Sequence, residues 1–371
     1  MLILGLGLLA LQTETGATSA AQFLARQANP MPQTSLTVER ASGIWLRSLR
    51  LTNVSLTRPD SATASPVTMA RVDTLAVQYR IGALLRGRLH LTDVSLSGPS
   101  VTLRQAPDST WDWVRHLPAS EPAPADTGAA LPIQVDALRL TDGAFAAQFY
   151  AGGRDSTARI QGLTLRTRDV QYGDEVGGQL DTLGLRARLP ADTTDLRLAA
   201  QGGLSARRFT LDTLRLTSPR SDVYGAGTAR LPLSPSDSLD DVRLSLRAEP
   251  LALGDLTAFA PTLAVNPQEA LDLQAELTGS GRELSLKTEG SVRDGGGRLT
   301  ATAAATPYTQ RPTPETPPLQ YRFDLQLQQL TTSLLGTPDP TENRITARLD
   351  GALEGPALDA LDGTLTARVA D

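Results

Sequence analysis

Two histidines are the only imidazoles in the chain, and neither keeps the company that catalysis or metal binding requires. His90 falls in RLHLTDV, on the polar side of an alternating segment, and His116 stands close to a proline-rich stretch. No second histidine or acidic cluster lies at ligand spacing from either, so the pattern predicts no metal site. Carboxylates are plentiful, as in Asp192-Thr-Thr-Asp195 and Asp240-Asp241, but they sit where strands end and turn, the usual place for aspartate. Nothing in their spacing selects two of them as an acid–base pair. Gly225-Ala-Gly227 lacks the third glycine and the following helix of a dinucleotide loop, and no nucleophile elbow or P-loop is present. Gly295-Gly296-Gly297 reads as a turn between strands, because no helix follows to hold a phosphate. Trp111 and Trp113 share a parity at the end of a strand, as a core plug or an interfacial contact. The residues predict no enzyme and no cofactor.

The elements that would position such groups are strands almost throughout. Hydrophobic residues make up 40% of the chain but aromatics only 4%, so the apolar surface is built of Leu, Val and Ala. Segments such as SLTVER, VDTLAVQY, LDLQAEL, YRFDLQLQ and RITARLDGAL alternate apolar and polar residues with period two. That alternation gives one wet and one dry face, the mark of antiparallel sheet rather than parallel sheet covered on both sides. Parity places Leu49, Leu51, Leu75, Val77, Tyr79, Leu89 and Leu91 on the dry face of the N-terminal part. In the rest of the chain it places Leu244, Leu246, Leu271, Leu273, Leu284, Leu286, Phe323, Leu325 and Leu327 there. The fold expected is mainly β, an elongated twisted antiparallel sheet forming a hydrophobic groove, with one or two N-terminal helices. Charge excludes one partner class: 40 acids against 35 bases leave a formal −5, with no basic field for nucleic acid. The absence of cysteine removes disulfides and thiolate chemistry without fixing a compartment.

The stretch from Val67 to Trp113 organises the pattern. A strand through Leu75, Val77 and Tyr79 leads to a short turn-helix at 81–87, and a second strand carries Leu89 and Leu91. At Thr92-Asp93 the phase slips by one residue, so Val94 and Leu96 take the opposite parity, as at a β-bulge or a strand end. The word repeats: Leu49-Arg-Leu-Thr-Asn-Val-Ser-Leu56 matches Leu89-His-Leu-Thr-Asp-Val-Ser-Leu96, slip included. Leu138-Arg-Leu-Thr-Asp-Gly143 repeats its first half, and Leu214-Arg-Leu-Thr217 less of it. One supersecondary unit used several times along a sheet accounts for this, and so does a strand word common in a Leu- and Thr-rich chain.

Residues 1–12 begin with the uncharged run MLILGLGLLAL, Leu2, Ile3, Leu4, Leu6, Leu8, Leu9 and Leu11 being its apolar side chains. A bilayer needs about 20 such residues, and a signal peptide would carry positive charge ahead of its core. A buried helix is a further reading; a membrane anchor missing its first half is the one preferred. Residues 13–30 follow as an amphipathic helix, with Ala17, Ala20, Ala21, Leu24 and Ala28 at three- and four-residue spacing. An N-terminal β module spans 31–117, and a Pro/Ala-rich linker or loop 118–132. Groove strands then run over 133–305, broken by a short helix at 251–263. A Pro/Thr-rich loop at 306–318 precedes further strands to 371, an alternation expected to continue in a longer protein.

The run from Gly43-Ile-Trp-Leu-Arg-Ser-Leu49 through VDTLAVQYRIGALLRGRLHLTDVSLSGPSVTLRQAPDSTWDW resembles the N-terminal part of the AsmA-like family, and within it the TamB-type (translocation and assembly module) proteins. DVRLSLRAEPLALGDLTAFAP and LDGALEGPALDALDGTLTARV are similar to the repeats that follow in such proteins. Where that family turns on Asp-Gly before the tryptophan, this chain has Asp108-Ser109. The resemblance implies a protein anchored in the bacterial inner membrane by its N-terminus, with its bulk in the periplasm. It further implies a repeating β-groove that carries phospholipid towards the outer membrane and supports assembly there, with an outer-membrane barrel protein as partner. No catalytic residue comes with it. A structural or adhesive β-repeat protein with self-closed sheets is the alternative that the residues leave open.

Overall fold

The computed structural model describes residues 13–27, 34–44, 46–59, 66–105, 111, 132–151, 154–173, 176–188, 195–231, 240–257, 265–280, 283–293, 297–306, 319–331, 344–355 and 362–370. Among the described residues, eighteen strands and three helices make the protein mainly β, a long and chiefly antiparallel sheet. The chain falls into two compact units, Met1–Thr193 and Thr194–Asp371. Among the described residues, no helix is long and apolar enough to cross a membrane. The apolar run at 1–12, Leu24 and Ala28 as helix-face residues, and nearly all of the loops at 118–132 and 306–318 lie outside what can be described.

The first unit opens with helix α1 (Glu14–Gln27), followed by β1 (Ser35–Ser42), β2 (Ser48–Pro59) and β3 (Pro66–Tyr79). A single helical turn, α2 (Ile81–Leu84), leads to β4 (Leu89–Ser97) and β5 (Ser100–Arg104). Three long strands complete the unit: β6 (Ile133–Ala151), β7 (Arg154–Tyr172) and β8 (Gly177–Arg188). β1 to β4 pair antiparallel in sequence order, and so do β6 to β8. Between them the expectation of purely antiparallel sheet fails. β4 and β5 lie end to end along β6 and both pair with it in parallel, Leu89 opposite Ile133 and Val101 opposite Phe145. Parallel neighbours need a crossover of a dozen residues or more, and the stretch between Arg104 and Ile133 supplies that length. The Pro/Ala-rich segment therefore joins strands of one unit. β4 breaks from β5 at Gly98, where φ is +60° and a Cβ would be driven into the Asp73 carboxylate.

Helix α1 starts on Thr13, whose hydroxyl accepts from the Gly16 N–H at 3.2 Å, with Glu14 in its first turn. Ala17 and Ala21, one turn apart, pack against Val38 and Ala41 of β1, and Ala17 and Ala41 are at most 1% exposed. Small residues let helix and strand approach closely enough for polar contact. Ala41 N–H donates to the Thr18 hydroxyl at 2.9 Å, and the Gln22 amide donates to the Val38 carbonyl at 3.0 Å. The helix thereby satisfies backbone groups of β1 and covers its apolar residues at once.

The second unit is a meander in which each strand pairs antiparallel with the next. Its strands are β9 (Asp195–Ser205), β10 (Arg208–Thr217), β11 (Asp222–Arg230), β12 (Asp240–Ala252), β13 (Ala270–Ser280) and β14 (Glu283–Val292), then β15 (Arg298–Ala305), β16 (Leu319–Thr331), β17 (Arg344–Gly355) and β18 (Asp362–Ala370). Helix α3 (Leu253–Thr257) begins two residues later than the helix expected at 251–263, of which residues 258–263 lie outside the described residues. Leu251 and Ala252 stay in β12, because the ladder resumes after a register shift around Glu249-Pro250 and returns Leu251 to a partner, Leu271. Leu253 on α3 packs with Val292 and Leu330. Asp255 ties the helix to the β10–β11 turn: both the Ser218 and Ser221 hydroxyls donate to its Oδ2, the second at 2.5 Å. Ser221 Oγ in turn accepts from the Ala252 N–H at 2.9 Å, and Arg220 faces Asp255 Oδ1 at 3.7 Å.

Candidate functional site: an apolar sheet face

Residues directly opposite each other on neighbouring strands share a face, so the register shows which side chains line up. In the first unit one row runs Ala41, Leu51, Leu75, Leu96, Leu140, Leu165, Leu183, crossing seven strands from β1 to β8. Beside it lie Leu49, Val77, Val94, Leu138, Thr167 and Leu180. A third row joins Tyr79, Leu91, Val135 and Val170, and the last joins Leu89, Ile133 and Tyr172. All seven residues that parity assigned to the dry face here, from Leu49 to Leu91, stand in these rows.

Val94 and Leu96, of opposite parity to Leu89 and Leu91, stand in the same rows. The slip at Thr92-Asp93 is a bulge: Gln78 pairs with Asp93 but Tyr79 pairs with Leu91. Two residues on one strand against one on the other turn the chain by half a period, so Val94 and Leu96 rejoin the apolar face. The echoes place an irregularity at the same position in another form: the register shifts between Leu140 and Gly143 but runs unshifted through Asn53. Asn53 takes φ +48° and Asp142 φ +55°, left-handed conformations that Asn and Asp tolerate best among residues with a side chain. Leu51 and Val54, on either side of the slip, accordingly pack against the same cluster under α1. The repeated Leu-x-Leu-Thr-Asn/Asp word therefore marks a local irregularity of the strand, a register shift in two copies and a left-handed residue in two.

In the second unit the rows are longer. Leu244, Leu277, Leu286, Ala303, Phe323, Gly351 and Leu365 stand in register from β12 to β18. So do Leu246, Ala275, Thr288, Ala301, Leu325, Leu349 and Ala367, and next to them Ala248, Leu273, Gly290, Leu299, Leu327, Ala347 and Val369. Leu271 opposes Val292, and Leu284 opposes Ala305. Small residues that parity did not single out are the counterpart of the large ones. A Cβ on Gly225 would lie 2.7 Å from Leu246 Cδ2, and one on Gly227 3.1 Å from Leu244 Cδ1. The Gly225-Ala-Gly227 sequence is thus a pair of seats for leucines of the next strand.

The faces are only partly covered. Among the described residues the buried apolar side chains include just three leucines, Leu196, Leu253 and Leu330, two of them in the cluster at α3. Leucines in the middle of the rows, such as Leu75, Leu244, Leu246, Leu273 and Leu325, are half-buried. Leu286 is 37% exposed, and on β18 Leu365 and Val369 reach 63% and 72%. In a closed sandwich these inward positions would interdigitate with a second sheet and be buried.

The opposite face is polar and internally paired. Arg168 meets Asp181 at 2.7 Å, Lys287 meets Glu289 at 2.7 Å, and Arg348 meets Asp324. The guanidinium of Arg215 bonds Asp222 at 2.7 Å and lies 5.1 Å from the centroid of Tyr224, whose hydroxyl also donates to Asp222. These contacts, Arg215 first, hold the Asp222 carboxyl below its ordinary range. The amide of Gln326 and then Arg348 do the same for Asp324.

The side chains first weighed for chemistry are placed as follows. His90 Nε2 lies 2.8 Å from Asp136 Oδ1 across the parallel seam, and Gln134 donates to the same oxygen at 3.1 Å. Asp241 faces Arg208 at 3.6 Å and Arg243 at 3.3 Å, so its partners are bases and not a second acid. Trp111 meets Phe149 edge-on with ring centroids 5.4 Å apart, while Trp113, His116 and Asp192 lie outside the described residues. Among the described residues no group of three His, Cys, Asp or Glu could hold a metal ion. No family model matches this sequence, and no curated protein matches it.

Proposed function

We propose that this protein is a lipid conduit, in which the apolar faces of its sheet curl into a trough that holds phospholipid acyl chains while headgroups stay in water. The observation that carries the reading is the set of mainly apolar rows, reaching seven strands in each unit, whose leucines keep part of their surface in solvent. Moving one methylene into water costs about 0.8 kcal/mol, so a diacyl lipid with about thirty methylenes faces a barrier on the order of 20 kcal/mol. A continuous apolar strip lowers that barrier without any catalytic group. The bulge at Thr92-Asp93 returns Val94 and Leu96 to the strip. The resemblance to AsmA-like and TamB-type proteins extends the proposal to a setting: an N-terminal anchor in a bacterial inner membrane, a periplasmic body, and an outer-membrane barrel protein at the far end. Native mass spectrometry of protein extracted without detergent tests it. Co-purifying phospholipid is the expected result, and its absence from well-folded protein would mean that the sheets close on themselves.

A further inference from the structure

At one end of the first unit's apolar face lies an open depression of about 540 Å³, between the turn after α2, the start of β4 and the β6–β7 pair. Two rows, from opposite faces of the sheet, border it where the strands end. Leu89, Ile133 and Tyr172 are the last apolar row, and His90, Gln134 and Gln171 form the polar row beside it. Arg86 and Arg88 complete the lining. Both arginines are exposed, and neither guanidinium has a carboxylate partner among the described residues, whereas eleven other arginines there are paired, including Arg139, Arg168, Arg215 and Arg348. The carboxylate nearest the polar row, Asp136, is engaged by His90 and Gln134. Two guanidiniums without a carboxylate partner, at the strand ends where the apolar row stops, suit a phosphate ester, which arginine binds through paired N–H donors.

We infer that this depression binds the phosphate of an amphiphile whose acyl chains lie on the adjoining apolar face. The inference rests on the lipid reading above and gives it a polarity: the headgroup is held at the α2 end, and the chains run from Leu89 and Ile133 towards the rows through Leu91, Val77 and Leu75. A free phosphate ester has the same anionic chemistry, but it would make no use of the apolar row that forms one side of the depression.

The test uses the whole chain and three soluble probes: dihexanoyl phosphatidylglycerol, uncharged dihexanoylglycerol, and glycerol 3-phosphate, each titrated calorimetrically at low salt. The expected result is that the phosphatidylglycerol binds at least roughly tenfold more tightly than the uncharged diester. The double variant R86E/R88E should erase that preference and leave the uncharged probe's affinity as it was. The reversal R197E, at an exposed arginine of β9, should change neither. Binding of both diesters with no preference in the wild type would overturn the headgroup site and leave the conduit standing. Glycerol 3-phosphate binding as tightly as the lipid, with no binding of the uncharged diester, would overturn the lipid assignment in favour of a free phosphate ester. No binding of any probe would overturn both proposals.

Discussion

The ring of Phe323 on β16 lies across Gly351 on β17, so close that a Cβ added to Gly351 would stand 2.7 Å from the phenylalanine Cζ. Elsewhere on the apolar face of the second unit large residues also lie over small ones, Leu246 over Gly225 and Leu273 over Gly290. Replacing Gly351 by valine must push the ring outward or the strands apart. The expected cost is about 1–3 kcal/mol, read as a lower thermal midpoint, with reduced lipid retention if the ring is forced across the face.

A charge placed in the rows distinguishes an open face from a closed core. Val77→Asp and Leu325→Asp stand at half-buried positions, from which a new carboxylate reaches water. Both variants should keep their thermal midpoint within a few degrees and lose bound phospholipid. Ala41→Asp, at a site with no exposure beneath α1, should instead cost several kcal/mol and unfold the N-terminal end. Equal collapse of all three would show that the face is covered.

Helix α1 is held to β1 by a hydroxyl as well as by alanines. Thr18→Val keeps the shape and removes the acceptor for the Ala41 N–H, leaving that buried amide without its partner. A loss of about 1–3 kcal/mol is expected, with faster hydrogen exchange at Ala41, and Thr18→Ser should restore most of the protection.

The Asp255 carboxylate gathers two serine hydroxyls from the β10–β11 turn. Asp255→Ala should loosen α3 from that turn and raise proteolytic cleavage near 253–257, while the strands of the meander stay protected from exchange. Unchanged cleavage would show that the Leu253 packing holds the helix by itself.

Acid should weaken the second unit through Asp222, whose carboxyl is held below its ordinary value of 3.8 chiefly by Arg215. A carboxyl depressed in the folded state contributes stability above its unfolded pKa, and that contribution fades as pH falls through the folded one. Asp222→Asn should therefore lower the thermal midpoint at pH 7 and make little difference at pH 2. A midpoint equally depressed at both pH values would mean that the side chain matters through packing and not through charge.

Period-two alternation in the sequence already identified the strands, and with them the residues of the apolar face from Leu49 to Leu327, because each side chain's face follows from its place in its own strand. Even the bulge at Thr92-Asp93 was legible as a slip of phase. Its consequence was not: whether Val94 and Leu96 leave the face or return to it depends on the partner strand, and only the pairing of Tyr79 with Leu91 decides. The parallel seam of β4 and β5 with β6 was equally out of reach, since strand direction is set by a crossover whose composition reads as a linker. The depression at Arg86 and Arg88 belongs to the tertiary structure as well. Its lining comes from three separate stretches, 83–90, 132–134 and 171–173, and no spacing along the chain reveals what pairing across strands brings together.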